Sequence, residues 1–384
     1  MTAPASPLRL ALGGMIAMAV AMGIGRFVYT PILPGMMEGL GLSAGDAGLI
    51  ASANYLGYLV GAVVASGAWG QGRERLVMLA GLGASAVLAA AMALTDSLAA
   101  FLLIRFLAGV ASAFLMVFLS TIVLNRLMAV GREDLQAVHF GGVGLGIATS
   151  SLMTGALVLA GAEWPASWLW AGAISAAGFV AAWLMVDRGP VSGGPAKPEP
   201  PLPRSPRLTR VIIAYGLFGF GYVITATFLV AIVRQGEGGR LFESAVWLAT
   251  GLAGFPSVWL WNKAVRRIGL ARTFAIGCLV EAVGVAASVG IGGHAGPLIA
   301  ALLLGGTFIA VTAQGLQAAR RLARDAPRRA LALMTASFGT GQIVGPIVAG
   351  YLADHSGNFV SGSALAAVFL LASAAIMPRD TAPR

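Results

Sequence analysis

Residues 98–125 read LAAFLLIRFLAGVASAFLMVFLSTIVLN, a stretch in which Arg105 is the only charged side chain. A helix needs about 20 mostly apolar residues to cross a bilayer, because the hydrocarbon core is about 30 Å thick. That core also offers the backbone no hydrogen-bond partners, so the chain must satisfy them internally. The sequence therefore predicts a membrane-spanning helix in this stretch.

Eleven further stretches have the same character, and 58% of the 384 residues are hydrophobic while 10% are charged. The first of them resembles a signal peptide over residues 10–25, with Arg9 before it, but its apolar run continues to residue 35. We therefore expect an uncleaved first helix in an all-α membrane protein with twelve transmembrane helices. The predicted spans lie near 9–35, 47–69, 76–95, 98–125, 136–160, 167–186, 210–233, 244–262, 272–292, 296–319, 330–352 and 359–377.

The basic residues are distributed unevenly among the predicted loops. With the N-terminus in the cytoplasm, 21 Lys and Arg residues fall in cytoplasmic segments and only Arg234 and Arg240 fall outside. This positive-inside bias predicts a multi-pass protein of the bacterial inner (cytoplasmic) membrane with both termini cytoplasmic. The net charge of +10 is accordingly a sign of topology and of attraction to anionic membrane lipids. We expect no nucleic-acid partner.

The longest hydrophilic stretch covers residues 187–210 and reads DRGPVSGGPAKPEPPLPRSPRLTR. Its proline and glycine content is typical of an extended linker. The stretch divides the twelve predicted spans into two sets of six. We therefore predict an N-terminal six-helix bundle over residues 1–187, a cytoplasmic linker over 188–209 and a C-terminal six-helix bundle over 210–384.

The two predicted bundles share an internal repeat. Residues 23–26 (GIGR) correspond to residues 219–222 (GFGY), and residues 105–109 (RFLAG) correspond to residues 301–305 (ALLLG), both at an offset of 196. Gly142 and Gly146 correspond to Gly341 and Gly345 at an offset of 199. Because each set has an even number of spans, the two copies have the same orientation in the membrane.

These motifs resemble the major facilitator superfamily over essentially the whole chain. Residues 104–113 (IRFLAGVASA) look like its Arg-x-x-x-Gly motif, and residues 67–75 (GAWGQGRER) resemble a shortened gating-loop motif that lacks the usual aspartate. Residues 341–346 (GQIVGP) resemble its antiporter motif, whereas Ile147 replaces the proline of that motif in the fifth span. Residues 23–34 (GIGRFVYTPILP) most resemble the little-characterised bacterial YbfB-type branch.

The resemblance implies two pseudo-symmetric six-helix bundles, with spans 1, 4, 7 and 10 around a central cavity. Arg26 and Arg105 lie on two of these spans, and a charge inside a membrane usually faces such a cavity. Guanidinium groups bind carboxylate or phosphate with two parallel hydrogen bonds, so we hypothesise that both arginines attract an anionic substrate. The alternative is that one or both reach the membrane surface or bond helix carbonyls.

Coupling and gating candidates form a second group. Arg105 matches the arginine that the family links to proton coupling, and Glu281 is the one acidic residue inside a predicted span. Either Glu281 carries a proton or it is a protonated or hydrogen-bonded structural residue. His139, near the cytoplasmic end of the fifth span, either titrates or is an interfacial histidine. The gating candidates that follow from the motifs are Arg73, Arg75, Gly345 and Pro346.

Polar side chains on the cavity-forming spans and on span 2 are candidates for orienting a substrate by hydrogen bonds. Taken singly, each is equally a candidate for a contact between helices. They are Tyr29, Thr30, Asn54, Tyr55, Tyr58, Tyr222, Thr225, Thr227 and Thr307. Phe27, Phe220 and Phe308 are candidates for apolar walls or for ordinary helix packing.

These features predict a secondary active transporter that moves a small solute, an organic anion in our first hypothesis, by proton-coupled alternating access. Neither lysine lies in a phosphate-binding loop, which argues against an ATP-driven pump. Proton-driven efflux of drugs or metabolites is the main alternative. An intramembrane enzyme is a weaker one, because no nucleophile, metal or paired-carboxylate motif stands out. We expect a monomer without cofactor or metal.

Overall fold

The computed structural model describes residues 6–187, 199–236 and 238–379. In this part of the chain the regular structure is helical, and no residue lies in a strand. The α-helices are α1 Pro7–Met18, α2 Tyr29–Leu40, α3 Ala44–Ala65, α4 Glu74–Ala91, α5 Leu98–Ala129, α6 Gln136–Leu159, α7 Trp164–Met185, α8 Pro206–Arg234, α9 Gly239–Ile268, α10 Leu270–Gly290, α11 Ala295–Leu322, α12 Pro327–Ser356 and α13 Val360–Ile376.

Eleven helical stretches among the described residues are long and apolar enough to cross a membrane. They correspond to the first eleven predicted spans, with Pro7–Leu40 counted as one stretch. The twelfth, α13, has 17 residues. At 1.5 Å per residue it is about 25 Å long, which is at the lower limit for a spanning helix.

The first predicted span corresponds to one helical stretch, Pro7–Leu40, and its regular α-helix is interrupted near the middle. After α1 the chain forms a π-helical segment over Ala19–Ile24, residues 25–28 form a turn in which the regular α-helical hydrogen bonds are interrupted, and α2 begins at Tyr29. Pro31 contributes to the break because it has no N–H to donate to the carbonyl four residues earlier, and its ring crowds that carbonyl. The break places the residues around Arg26 outside a regular helix.

Equivalent glycines allow equivalent helices to approach closely. A Cβ atom on Gly109 of α5 would lie 2.1 Å from the carbonyl oxygen of Asn54 in α3. A Cβ atom on Gly305 of α11 would lie 2.1 Å from the carbonyl oxygen of Thr250 in α9. Both members of the second pair are 196 residues beyond those of the first, which is the offset of the repeat in the sequence. Small residues at such crossings are typical of packed membrane helices.

Helices that precede residue 188 pack directly against helices that follow residue 205. Thr30 of α2 donates a hydrogen bond to the carbonyl oxygen of Ala226 in α8 at 2.6 Å. Ser52 of α3 donates to the carbonyl oxygen of Ile343 in α12 at 2.7 Å, and Ser151 of α6 donates to that of Ser244 in α9. Hydrogen bonds in these three helix pairs therefore help to join the two parts of the chain.

The predicted linker lies partly outside the described residues, which omit 188–198. Its described end is attached to the start of α12, because Glu199 accepts hydrogen bonds from the backbone and Nε of Arg328 and from the backbone of Arg329. Burial disfavours the charged form of Glu199, but these bonds outweigh it and hold the pKa of its carboxyl below the usual range. The helix after the linker begins at Pro206, four residues before the predicted boundary.

Five charged residues form a latch where α2, α8 and α12 end and α3 and α9 begin. Arg234 contacts Glu38 at 2.5 Å and also pairs with Glu243, and Arg240 contacts Glu38 at 3.2 Å. Asp354 accepts hydrogen bonds from the first backbone N–H groups of α3, at 2.8 and 2.9 Å. A carboxylate is favoured there because the start of a helix carries partial positive charge.

The latch explains why Arg234 and Arg240 lie on the predicted outer side, away from the other loop arginines. Both are neutralised locally by acids, and the four side chains Glu38, Arg234, Arg240 and Glu243 line a cavity of about 510 Å³. Glu38 and Asp354 each connect helices from the two parts of the chain. Separation of those parts at this end of the molecule therefore requires these contacts to break.

We predict that Glu38→Gln opens this end of the molecule more often. In a Thr30→Cys background, reaction with a water-soluble thiol reagent should become about two- to fivefold faster, the shift expected for a half-exposed ion pair. The native Cys278 is buried and gives little background labelling. Asp134→Asn, which breaks the exposed pair with Arg132 in the loop before α6, is the control and should leave the rate unchanged. Equal rates for both variants would contradict the role of the latch.

Candidate substrate-binding site

Arg105 is buried, with 3% of its surface exposed, and it is bonded to the break in the first span. Its Nη1 donates to the carbonyl oxygen of Gly25 at 3.0 Å, and its Nη2 donates to that of Arg26 at 3.1 Å. Non-helical backbone leaves such carbonyls without their helical partners, and inside a membrane they need others. Arg105 therefore fastens α5 to the interrupted helix, in agreement with the carbonyl-bonding alternative.

Arg26 is equally buried, with 4% of its surface exposed, but its guanidinium is bonded differently. Its Nε and Nη2 make no hydrogen bond to any described residue. These two nitrogens form one edge of the guanidinium and together can bind both oxygens of a carboxylate. Arg234 uses the same edge to bind Glu243. Arg26 thus presents an unused two-donor edge inside the protein.

Aromatic rings surround the Arg26 guanidinium. Its central carbon lies 4.6 Å from the ring centroid of Tyr55, 4.6 Å from that of Tyr58 and 5.8 Å from that of Phe27. The electron-rich faces of such rings stabilise a cation without neutralising it. The rings therefore hold the charge in place, and the donor edge stays available.

The rings continue into the helices after the linker. Phe27 meets Phe308 of α11 edge to face at 5.6 Å, and Phe308 is parallel to Tyr222 of α8, with centroids 5.9 Å apart. Tyr222 also stacks on Phe338 of α12 at 5.6 Å. Two further stacked rings complete a group that we call the aromatic cluster: Phe27, Tyr215, Phe218, Tyr222, Phe308 and Phe338.

Two buried amides lie on the helices that carry these rings. Gln342 of α12 donates from Nε2 to the hydroxyl of Tyr222, and within the described chain its Oε1 has no partner. Gln314 of α11 has no described partner for either amide atom. Buried amide groups without partners are costly, so each is a candidate for contact with a ligand.

Glu281 lies on α10, where it is fully buried. Its Oε2 accepts a hydrogen bond from Thr307 of α11 at 3.0 Å, whereas its Oε1 has no partner among the described atoms. Thr307 directly precedes Phe308 of the aromatic cluster. The carboxyl is thus hydrogen-bonded to α11, the helix that contributes Phe308 to the aromatic cluster.

The structure separates the predicted substrate-binding residues into two groups. Tyr55, Tyr58 and Tyr222 lie with Arg26 and the aromatic cluster, as described above. Others are engaged between helices: Tyr29 donates to the carbonyl oxygen of Ala47, and Asn54 donates to that of Arg105. Thr30 and Thr307 make the contacts already given, Thr227 lies 3.5 Å from the Tyr55 hydroxyl, and Thr225 is buried without a described partner.

The coupling and gating candidates are dispersed. Arg73 is exposed before α4, and Arg75 donates to the carbonyl oxygens of Val186 and Trp183 at the end of α7. Gly345 packs on α8 near Phe220, and the carbonyl of Pro346 meets Gly48 of α3. Arg75, Gly345 and Pro346 lie at contacts between helices, Arg73 is exposed, and the four do not form one site.

His139 lies between helices near the start of α6. The side chain is fully buried, with Nε2 3.4 Å from the hydroxyl of Ser120. Its Nδ1 faces α1 where Gly14 leaves room for the ring. In the described chain, no group of three or more His, Cys, Asp or Glu residues is arranged to hold a metal ion.

Several residues of the site are not among the sequence candidates. Tyr215, Phe218 and Phe338 are typical hydrophobic helix residues, and nothing in the sequence singles them out. Gln342 had a signal, because it is a polar residue between the motif glycines Gly341 and Gly345.

We predict opposite roles for the two buried arginines in stability. Arg105→Met should lower the melting temperature of the detergent-solubilised protein, because two helix carbonyls lose their donors. Arg26→Met should not lower it, since this change removes a buried charge that lacks a hydrogen-bonded partner. Differential scanning fluorimetry of both variants tests this contrast. Destabilisation by Arg26→Met equal to that by Arg105→Met would show that Arg26 is structural.

Comparison with solved structures shows which known fold the chain has. The chain resembles the nucleoside transporter NupG (TM-score 0.71, 16% identity) and its D323A mutant (0.72, 15%), covering 96% of this chain and 98% of each of those chains. It also resembles a bacterial homologue of the human lysosomal transporter Spinster in an inward-facing, unoccupied conformation (0.62, 13%), covering 97% and 95% of the two chains. These likenesses establish the fold of a major facilitator transporter.

The family follows from the sequence comparison. A family described as the uncharacterised MFS-type transporter YbfB matches residues 18–378. No curated protein matches the chain in sequence. The chain therefore belongs to the YbfB-type family of major facilitator transporters, and the resemblance inferred from residues 23–34 is confirmed.

Proposed function

We propose that this protein is a secondary active transporter that carries a small organic anion by alternating access. The observation that carries the proposal is the free Nε and Nη2 edge of buried Arg26. A carboxylate or phosphate would supply the two acceptors that this edge lacks within the described chain.

The free edge has a physical cost. Placing an arginine at the centre of a membrane helix costs about 2.5 to 3.5 kcal/mol, and a hydrogen-bonded partner reduces such a penalty. The corresponding position in the repeat is Tyr222, so the second copy of the repeat forms its helix without a cation there. A charge that the fold does not require, held in an aromatic environment, supports a role in binding.

The proposed transport cycle uses the helices before and after the linker as two moving units, residues 1–187 and 210–384. The latch closes one end of the molecule, and rocking of the units would open it and close the other end. We place the end with most basic residues in the cytoplasm of a bacterium and the latch outside its inner membrane. The unit of function is a monomer, and we assign it transport rather than an enzymatic reaction.

We predict that Arg26→Gln abolishes most transport without unfolding the protein. In proteoliposomes, wild-type protein should show saturable uptake and counterflow of a radiolabelled carboxylate chosen from an organic-anion screen. Arg26→Gln should reduce uptake at low substrate concentration at least tenfold, because a bidentate charged contact is lost. Arg132→Gln, which alters an exposed arginine in a loop, is the control and should retain wild-type flux.

Efflux of an amphipathic compound is the second candidate, and the aromatic cluster is the observation that favours it. The two proposals differ in the charge of the ligand. The positive charge of Arg26 attracts carboxylates and repels lipophilic cations. Competition by lipophilic cations but not by carboxylates would overturn the anion proposal. Normal transport by Arg26→Gln would overturn it as well.

Glu281 is the proposed proton site. Its buried carboxyl has one oxygen bonded to Thr307 and one without a described partner, so it can gain or lose a proton without losing an ion pair. The Thr307 contact would transmit the change to the helix that carries Phe308. The geometry thus links a titratable group to the aromatic cluster through one hydrogen bond.

We predict that Glu281→Gln removes the dependence of transport on an imposed pH gradient. The amide keeps the shape of the side chain and can accept the bond from Thr307, but it cannot carry a proton. Flux in proteoliposomes with and without a gradient measures the effect, and counterflow at equal pH should persist. Glu133→Gln, at an exposed acid before α6, is the control. A wild-type response to the gradient in Glu281→Gln would exclude this residue as the proton site.

A further inference from the structure

We infer that the transported anion is a planar aromatic or heteroaromatic acid. This inference rests on the proposed function and narrows the substrate class of the same site. It follows from the free edge of Arg26, from the rings of both parts of the chain that meet beside it, and from two buried amides on the ring-bearing helices α11 and α12 that keep unbonded atoms.

The immediate surroundings of the guanidinium favour a single negative charge. Tyr55, Tyr58 and Phe27 are the rings next to it, and among the described residues Arg105 is the only other buried cation near the break. Arg105 already donates to two carbonyls. A second carboxylate on the ligand would therefore face aromatic surface without a cation available to pair with it, at a large desolvation cost.

The opposite side of the site is suited to a flat ring. Tyr222 and Phe308 are parallel within 7°, and Tyr222 and Phe338 within 11°. Within the aromatic cluster, Phe308 and Phe338 keep the most exposed surface, 6% and 8%. Aromatic groups prefer offset stacked or edge-to-face contacts, and such pairs contribute beyond the burial of area. An aliphatic ring of the same size would bury the same apolar area but would not gain the additional stabilisation of an aromatic pair.

The amides provide polar contacts for the ring. The bond from Nε2 to the Tyr222 hydroxyl orients Gln342 so that its Oε1 can accept a hydrogen bond, and Gln314 offers both a donor and an acceptor. Heteroatoms in the ring or polar groups on it would satisfy these atoms. The combination of one charge, flat apolar faces and a few edge hydrogen bonds describes an aromatic acid.

A matched pair of probes tests the inference on the full-length protein. Benzoate and cyclohexanecarboxylate have the same charge and similar size, but only benzoate has an aromatic ring. In isothermal titration calorimetry with purified wild-type protein, we expect benzoate to bind about three- to tenfold more tightly, the factor that an aromatic pair contributes. Benzyl alcohol, which lacks the charge, should bind more weakly than either acid.

Two variants locate the effect. Phe308→Leu should remove the preference for benzoate while binding of cyclohexanecarboxylate persists. Phe220→Leu is the matched control, because Phe220 is exposed to the same extent, 6%, but stacks on Phe369 outside the aromatic cluster. This control should keep the wild-type preference.

The outcomes separate the inference from the proposed function. Equal affinities of the two acids, both lost in Arg26→Gln, would overturn the aromatic inference and leave anion transport standing. Acids that do not bind, or that bind equally well to Arg26→Gln, would overturn both. Retention of the benzoate preference in Phe308→Leu would also overturn the inference, because the ring surface that it names would not be responsible.

Discussion

The rest of the site depends on how the interruption in the first membrane span is stabilised, because Arg26 lies in that interruption beside Phe27 of the aromatic cluster. Inside a bilayer, carbonyls that leave a helix need other donors. Arg105 supplies them to Gly25 and Arg26 from another helix. Because Arg105 is committed to this task, the backbone around Arg26 is fixed, and the Arg26 side chain is left with an unused donor edge.

Two arginines with nearly the same burial therefore differ in their hydrogen bonds. Arg105 uses two of its donors to bind the carbonyl oxygens of Gly25 and Arg26, and these bonds connect α5 to the interrupted helix. Arg26 is held by ring faces, which stabilise charge but accept no hydrogen bonds in the plane of the guanidinium. The difference lies in geometry, since both are single arginines within long apolar stretches. It also explains why we propose a ligand contact for Arg26 and a structural role for Arg105.

The helices could be predicted from the sequence because the thickness of the bilayer sets the length of each apolar stretch. The equivalent helix crossings at Gly109 and Gly305 could also be predicted from the sequence, because close packing of helices requires small residues. The different contacts of Arg26 and Arg105 could not be predicted, because they depend on an interruption of the helix that does not change the hydropathy of the sequence. The latch was missed because its partners are distant in sequence, as with Glu38 and Arg234 or Ala44 and Asp354.

The proposed site lies where movement between the two parts of the chain would change it. Thr30 bonds to Ala226 only four residues from Arg26, and Phe27 meets Phe308 across the same junction. A ligand can shift a conformational equilibrium only if its contacts differ between the states. An anion held by Arg26 on one side and by rings or amides of α8, α11 and α12 on the other would satisfy this condition. Displacement of either part would change the distance between the donor edge and the opposite wall.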